Sequence, residues 1–218
     1  APGAQVHLGF REGVDPKRFR ADLERSERDG TPVAIPGHVH AEPARKHDFF
    51  LIPNGTIHGS GIGNLVLEIS ATPYIFTFKM YDWVRRDLEG KFRPLNIARA
   101  FDNLDFTRQG RKVREELVCR PRALAGGPGW TREHLPTHPE QFYDVHRLAF
   151  SGEAEIAAEG SCQVLSLVEG EGASVEREGA PPVPFHYAET LILPAAAERV
   201  RLRSVTGRPV TVVQTFVK

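Results

Sequence analysis

Beyond Gln141 the chain breaks into short apolar runs: Phe142–Phe150, Gln163–Val168, Ala173–Glu176, Thr190–Leu193, Val200–Leu202 and Val210–Phe216. Gly- or Pro-bearing turns separate them. Short strands spaced in this way suit a β-sandwich or jelly roll. The tail Val210-Thr-Val-Val-Gln-Thr-Phe216 reads as a strand closing the sheet.

The first half is less uniform. Asp15 can cap a helix running to about Arg28, with Pro16 at its first position and Phe19 and Leu23 on one face. Thr31–Pro36 is short, apolar and proline-bounded. Asp48–Ile52 reads as a compact strand ended by the turn signal Pro53-Asn54-Gly55, and Leu65–Ile69 as the next strand. Tyr74–Tyr81, rich in aromatic and β-branched residues, reads as another. A second helix is expected from Asn96 to about Leu104, and a strand over Glu116–Cys119. Pro121–Pro139, rich in Pro, Gly and His, reads as a long connection. Asp48-Phe-Phe-Leu-Ile-Pro53 and Glu189-Thr-Leu-Ile-Leu-Pro194 echo one another, which suggests two copies of one module. The expected organisation is a β module with helices over 1–106, a connection over 107–140 and a second β module over 141–218. The fold class expected is mainly β, with two jelly-roll-like modules, the first incomplete.

Composition removes several functions. Lys plus Arg and Asp plus Glu are 28 each, so no basic excess points to nucleic acid and no charge block to a membrane surface. No apolar run is long enough to span a bilayer. Ala-Pro-Gly-Ala-Gln at the start lacks the charged and apolar regions of a signal peptide, so the expected location is cytoplasmic. The initiator Met is missing, which fits a processed or cut chain. Cys119 and Cys162 form no C-x-x-C pair and read as reduced thiols.

The chemistry concentrates on the turn after Pro53. Gly55 permits a backbone path that a side chain would hinder, and His58 begins the return. An imidazole there is a good ligand for zinc, iron or nickel, or else a histidine hydrogen-bonded to backbone. The P-x-G-x-x-H spacing favours the ligand because it matches the second cupin motif. Further segments follow in order: Leu65-Val-Leu-Glu-Ile69, Thr77-Phe-Lys-Met-Tyr-Asp-Trp-Val-Arg85 and Arg93-Pro-Leu95. Together they resemble the class I, cupin-type mannose-6-phosphate isomerases, in the C-terminal part of that family's chain. The resemblance runs from about Gly3 to Phe106 and more weakly to the C-terminus.

The resemblance implies a zinc enzyme that interconverts mannose 6-phosphate and fructose 6-phosphate through an enediol. His58 would be one zinc ligand, Glu68 would line the same site, and Arg85 would be the catalytic-site arginine. Lys79 matches a basic position, read as substrate-binding. These types suit the reaction: a metal polarises a carbonyl, a carboxylate carries a proton, and an arginine steadies an enediolate or a phosphate. Glu68 reads equally as a salt-bridged strand carboxylate. Arg85 has Asp82 and Asp87 as rival partners, and Arg86 stands beside it. The family's remaining ligands, a Gln-x-His pair and a Lys-x-Glu segment, precede the matched region and are expected in an N-terminal segment absent from this chain. Gln5-Val-His7 imitates the first pair in the wrong context. His38-Val-His40 with Glu42 imitates a first cupin motif, with the wrong carboxylate spacing and in what reads as a connection. His134 and His138 lie in the Pro-rich stretch, where Pro136 and Pro139 preclude a helical pair. The second module also holds His146 and His186. It lacks a P-x-G-x-x-H turn and reads as a metal-free cupin. The rival function is a sugar-binding module without catalysis, or a structural fragment that needs its N-terminal part.

Overall fold

A computed structural model describes residues 2–70 and 77–218. Among these residues the chain is mainly β, with thirteen strands in three antiparallel sheets. It divides into two compact units, Ala1–Val118 and Cys119–Lys218.

The C-terminal unit is the regular one. A six-stranded sheet has the order β11-β8-β13-β6-β5-β4, formed by β4 (Arg122–Gly127), β5 (Trp130–Leu135), β6 (Tyr143–Phe150), β8 (Gln163–Glu169), β11 (Thr190–Leu193) and β13 (Val210–Val217). A four-stranded sheet, β10-β9-β12-β7, is formed by β7 (Glu153–Ala157), β9 (Gly172–Glu176), β10 (Val183–His186) and β12 (Arg199–Ser204). Strand alternation explains the core. In β12, Val200, Leu202 and Ser204 are buried while Arg199, Arg201 and Arg203 face outward. The outward arginines pair across the sheet with Glu155, Glu153 and Glu176. Inward residues from both sheets, Leu148, Phe150, Ile156, Leu165, Leu167, Leu202 and Val212 among them, form one apolar cluster. Each buried side chain of this size contributes about 1.5–3 kcal/mol, which the exposed ion pairs do not approach.

The strands expected over 142–216 are all present, the first a residue shorter and four others one to three residues longer. The stretch read as a connection, Pro121–Pro139, departs from expectation. It supplies β4 and β5, a hairpin at the sheet edge turning at Gly127–Trp130. Gly129 takes the positive φ, 80°, and the prolines fall outside the paired residues.

The N-terminal unit has one small sheet, order β2-β1-β3, from β1 (Gln5–Phe10), β2 (Val39–Pro43) and β3 (His58–Ser60). Helix α1 (Pro16–Asp29) is capped by Asp15, whose Oδ1 accepts from the Lys17 and Arg18 amides. Gly30 ends it in the left-handed region. Phe19 and Leu23 on its inner face pack with Phe10, Val33, Ile35, Val39 and Ile97. Helix α2 (Ile97–Phe101) is shorter than expected and stops at Asp102.

Several expected strands are replaced here. Asp48–Ile52 keeps only a bridge from Phe50 to Val118. Leu65–Ile69 is irregular, and Leu65, Val66 and Leu67 are exposed. Tyr74–Phe76 lies outside the described residues, and 77–81 is irregular. Glu116 and Leu117 end a π-helical turn, Val113–Leu117, because Val113 and Leu117 point into a small core with Leu8, and Val118 keeps only its bridge to Phe50. His40 and Glu42, read as part of a connection, sit on β2. At Leu51 and at Val113 and Leu117 the apolar residues are buried by packing rather than by a strand ladder, whereas Leu65, Val66 and Leu67 face solvent.

Candidate functional site

The turn that carries His58 is built as the sequence suggested. Gly55 has φ 77°, and the Thr56 amide donates to the Pro53 carbonyl at 3.2 Å. A Cβ on Gly55 would lie 2.5 Å from the Asn103 carbonyl oxygen. Beneath the turn is a residue that nothing in the sequence singles out. The buried Arg108 guanidinium donates to Thr56 Oγ1 at 2.8 Å, to the Pro53 carbonyl at 3.3 Å, and to the Asn54 carbonyl. Asp105 balances its charge at 3.3 Å. A planar fork of donors serves several carbonyls at once, so Arg108 fixes the curvature of the turn.

His58 is exposed at the start of β3, opposite Leu8 across the strand pair. Its Nδ1 lies 3.0 Å from the Thr56 carbonyl oxygen. A carbonyl only accepts, so Nδ1 carries a proton, and in the neutral ring the lone pair is on Nε2. That tautomer suits a metal ligand held by a backbone bond. Among the described residues, no group of three His, Cys, Asp or Glu side chains gathers around His58 or Glu68. Glu68 is exposed on an irregular stretch. One imidazole does not make a zinc site, which takes three or four protein donors. The residues present therefore do not fit a zinc ion at His58.

Lys79 and Arg85 are brought together, by Asp82. Arg85 donates through Nε at 3.1 Å and through Nη2 to Asp82 Oδ1. Lys79 Nζ is 3.6 Å from Oδ2, and Arg93 Nη1 is 3.0 Å from the same oxygen without hydrogen-bond alignment. Burial of Asp82 alone would raise its carboxyl. The Arg85 hydrogen bond and the charges of Lys79, Arg85 and Arg93 outweigh that and hold it below the usual carboxylate range. Three cations around one carboxylate leave a net positive patch suited to an anion. Arg86, the rival of Arg85, lies over the Phe92 ring at 4.3 Å and donates to the Gly90 carbonyl at 2.6 Å.

The other histidines of this unit have partners or burial instead of a metal. His38 Nε2 lies 2.9 Å from Asp22, and His40 Nε2 lies 2.8 Å from Glu42, which also binds Arg114. His7 is beside the Trp83 ring at 5.8 Å, and burial lowers its pKa.

The C-terminal unit contains a grouping the sequence did not suggest. His134 on β5 pairs across the sheet with His146 on β6, and Asp144 lies two residues before His146 on the same face. His134 Nε2 is 2.8 and 2.9 Å from the two Asp144 oxygens. His146 Nδ1 is buried and has no hydrogen-bond partner. Burial, helped by the nearby positive charge of Arg132, pushes its pKa down to about 4. The spacing of 134 and 146 in the chain hides their adjacency, because the residues between them read from the sequence as part of a connection. Both cysteines are free. Burial raises the Cys119 thiol to about 11, and Cys162 is exposed.

No protein-family model matches the chain. Among curated proteins it is 24% identical over 159 residues to mannose-6-phosphate isomerase ManA of Bacillus subtilis (strain 168), covering 67% of this chain and 43% of ManA. It is 26% identical over 152 residues to the mannose-6-phosphate isomerase of Streptococcus mutans, covering 70% of this chain and 44% of that protein. The chain thus spans less than half the length of these relatives. The crystal structure of the mannose 6-phosphate isomerase from Bacillus subtilis superposes on 99% of this chain and 61% of its own, with a TM-score of 0.72 at 20% identity. At that identity the superposition establishes the fold. The resemblance to the mannose-6-phosphate isomerases is borne out by relatives that carry the name of that family. No helix among the described residues is long and apolar enough to cross a membrane.

Proposed function

We propose that the chain is part of an aldose–ketose isomerase of the mannose-6-phosphate type, acting on a sugar phosphate in the cytoplasm. The observation that carries this reading is the Pro53–His58 turn, locked by Arg108 so that His58 offers a free Nε2, in a chain whose curated relatives are named as such isomerases. In this reading His58 is one donor to a divalent metal, and the remaining donors come from a segment outside this chain. Lys79 and Arg85, gathered on Asp82, meet the phosphate or the developing enediolate charge. In the same reading Glu68 is the carboxylate that carries the proton between C1 and C2.

The test is isomerisation of mannose 6-phosphate to fructose 6-phosphate by this chain joined to the upstream region its relatives possess. Metal-dependent turnover that disappears in His58→Ala is expected. A well-folded extended protein without turnover sinks the reading. A second reading, a sugar-binding module without catalysis, is favoured because no three-donor group surrounds His58 among the described residues. Binding of mannose 6-phosphate without turnover or bound metal at His58 would select it.

A further inference from the structure

We infer that His134, Asp144 and His146, side by side on β5 and β6, form a divalent transition-metal site inside the C-terminal unit. This site is separate from the His58 turn and draws on different residues. The C-terminal module reads from its sequence as metal-free because it lacks a P-x-G-x-x-H turn. The structure reaches a donor set by another route, cross-strand pairing.

The geometry is favourable. His134 and His146 are direct cross-strand partners, with ring centroids 5.5 Å apart and planes at 88°. One donor atom from each of His134, Asp144 and His146 lies within 4.8 Å of the other two. Ligands at about 2.0–2.1 Å from one ion are separated by roughly 3.3 Å in a tetrahedral arrangement, so small side-chain rotations close the set. Two imidazoles and one carboxylate on one face leave further coordination positions open, the arrangement typical of transition metals. Calcium and magnesium prefer all-oxygen sites and are disfavoured here.

Two features of the metal-free arrangement support the assignment. His146 Nδ1 is buried without a partner, a state that costs free energy unless something satisfies it. His134 Nε2 and the Asp144 carboxylate share a proton at 2.8–2.9 Å, which a metal ion replaces, each group then donating a lone pair to it. The surroundings are firm. Gln214, opposite His146 on β13, donates to Gln163 Oε1 at 2.7 Å and accepts from Arg132 Nη2 at 2.9 Å. The Phe216 ring packs edge-on to His146 with centroids 4.9 Å apart. Arg132, two residues before His134 on the same face of β5, opposes a cation. It moderates the affinity.

The experiment uses the full chain stripped of metal by chelation. Zinc is titrated by calorimetry, and cobalt by its visible absorption. Proton NMR follows the histidine rings. One equivalent is expected, with the His134 and His146 ring signals shifting together. Asp144→Asn and His146→Ala should lose that equivalent, His186→Ala should keep it, and Arg132→Gln should bind several-fold more tightly. The NMR arm uses the unaltered protein, so it stands even if a variant fails to fold. The assignment is overturned if the His134 and His146 signals do not respond to either metal. It is also overturned if the bound equivalent survives Asp144→Asn and His146→Ala but vanishes in His58→Ala.

Discussion

The two units contain the same kinds of residues and solve the problem of positioning a histidine in opposite ways. In the N-terminal unit His58 depends on a turn, and the turn depends on Gly55 and the buried Arg108. In the C-terminal unit His134 and His146 depend only on strand pairing, because residues opposite one another in adjacent strands share a face. The turn is conspicuous in the sequence and holds one donor. The strand pair is inconspicuous and gathers three. A recognisable motif therefore marks where the backbone is constrained, and not how many ligands arrive there.

The contrast is easiest to break through the cores. Leu202 in the C-terminal unit is fully buried between the sheets, whereas Leu88 in the N-terminal unit is fully exposed. Leu202→Ala should cost about 2–5 kcal/mol in urea unfolding, and Leu88→Ala less than about 0.5 kcal/mol. A small effect for Leu202→Ala would mean that the sheets are not packed as described. The turn is the next most sensitive place. Gly55→Ala puts a Cβ against the Asn103 carbonyl at a positive φ, and should lower stability by about 1–3 kcal/mol. Thermal unfolding that matches the unaltered chain would remove the case for a constrained turn.

Acid sharpens the comparison for the cation cluster. The Asp82 carboxyl is held below its unfolded value, chiefly by the Arg85 hydrogen bond and the neighbouring cations acting against its burial. A depressed folded pKa contributes stability that is present above the unfolded value near pH 4 and is lost as pH falls through the lower folded value. Asp82→Asn should therefore flatten the acid limb of a stability–pH profile below about pH 4. An unchanged limb would show that the cluster is not coupled to folding. The smallest effect is expected at the α1 cap. Asp15→Ala removes the acceptor for the Lys17 and Arg18 amides and should cost about 1 kcal/mol, read by circular dichroism during urea unfolding.

Legibility followed regularity. The helix over 16–29 was marked by Asp15, Pro16 and the Phe19/Leu23 spacing, and it forms with that cap. The strands from Tyr143 onward were marked by alternation and turn residues, except β7 and β10, whose charged or proline-bearing sequences gave weak signals. Asp48–Ile52 and Leu65–Ile69 misled because a short apolar run is ambiguous. Leu51 is buried against other elements without a ladder, and Leu65 lies exposed. At the candidate site, His58 was legible from Gly55 and its spacing. Arg108 was not, because nothing local distinguishes an arginine that will be buried under a turn fifty residues away from one that will face solvent.

The sequence by itself determined the β character of the chain, the cap of α1, the Pro53–Gly55 turn and the resemblance of its segments to the mannose-6-phosphate isomerases. Each rests on local conformational preference or on the order of short motifs. Only the tertiary structure decided that Lys79, Arg85 and Arg93 share Asp82, that Arg108 anchors the His58 turn, and that His134 meets Asp144 and His146. The reason is physical. Strand pairing and burial bring together side chains that are far apart in sequence, and the identity of a partner across a sheet is fixed by register and core packing rather than by any residue near it in the chain.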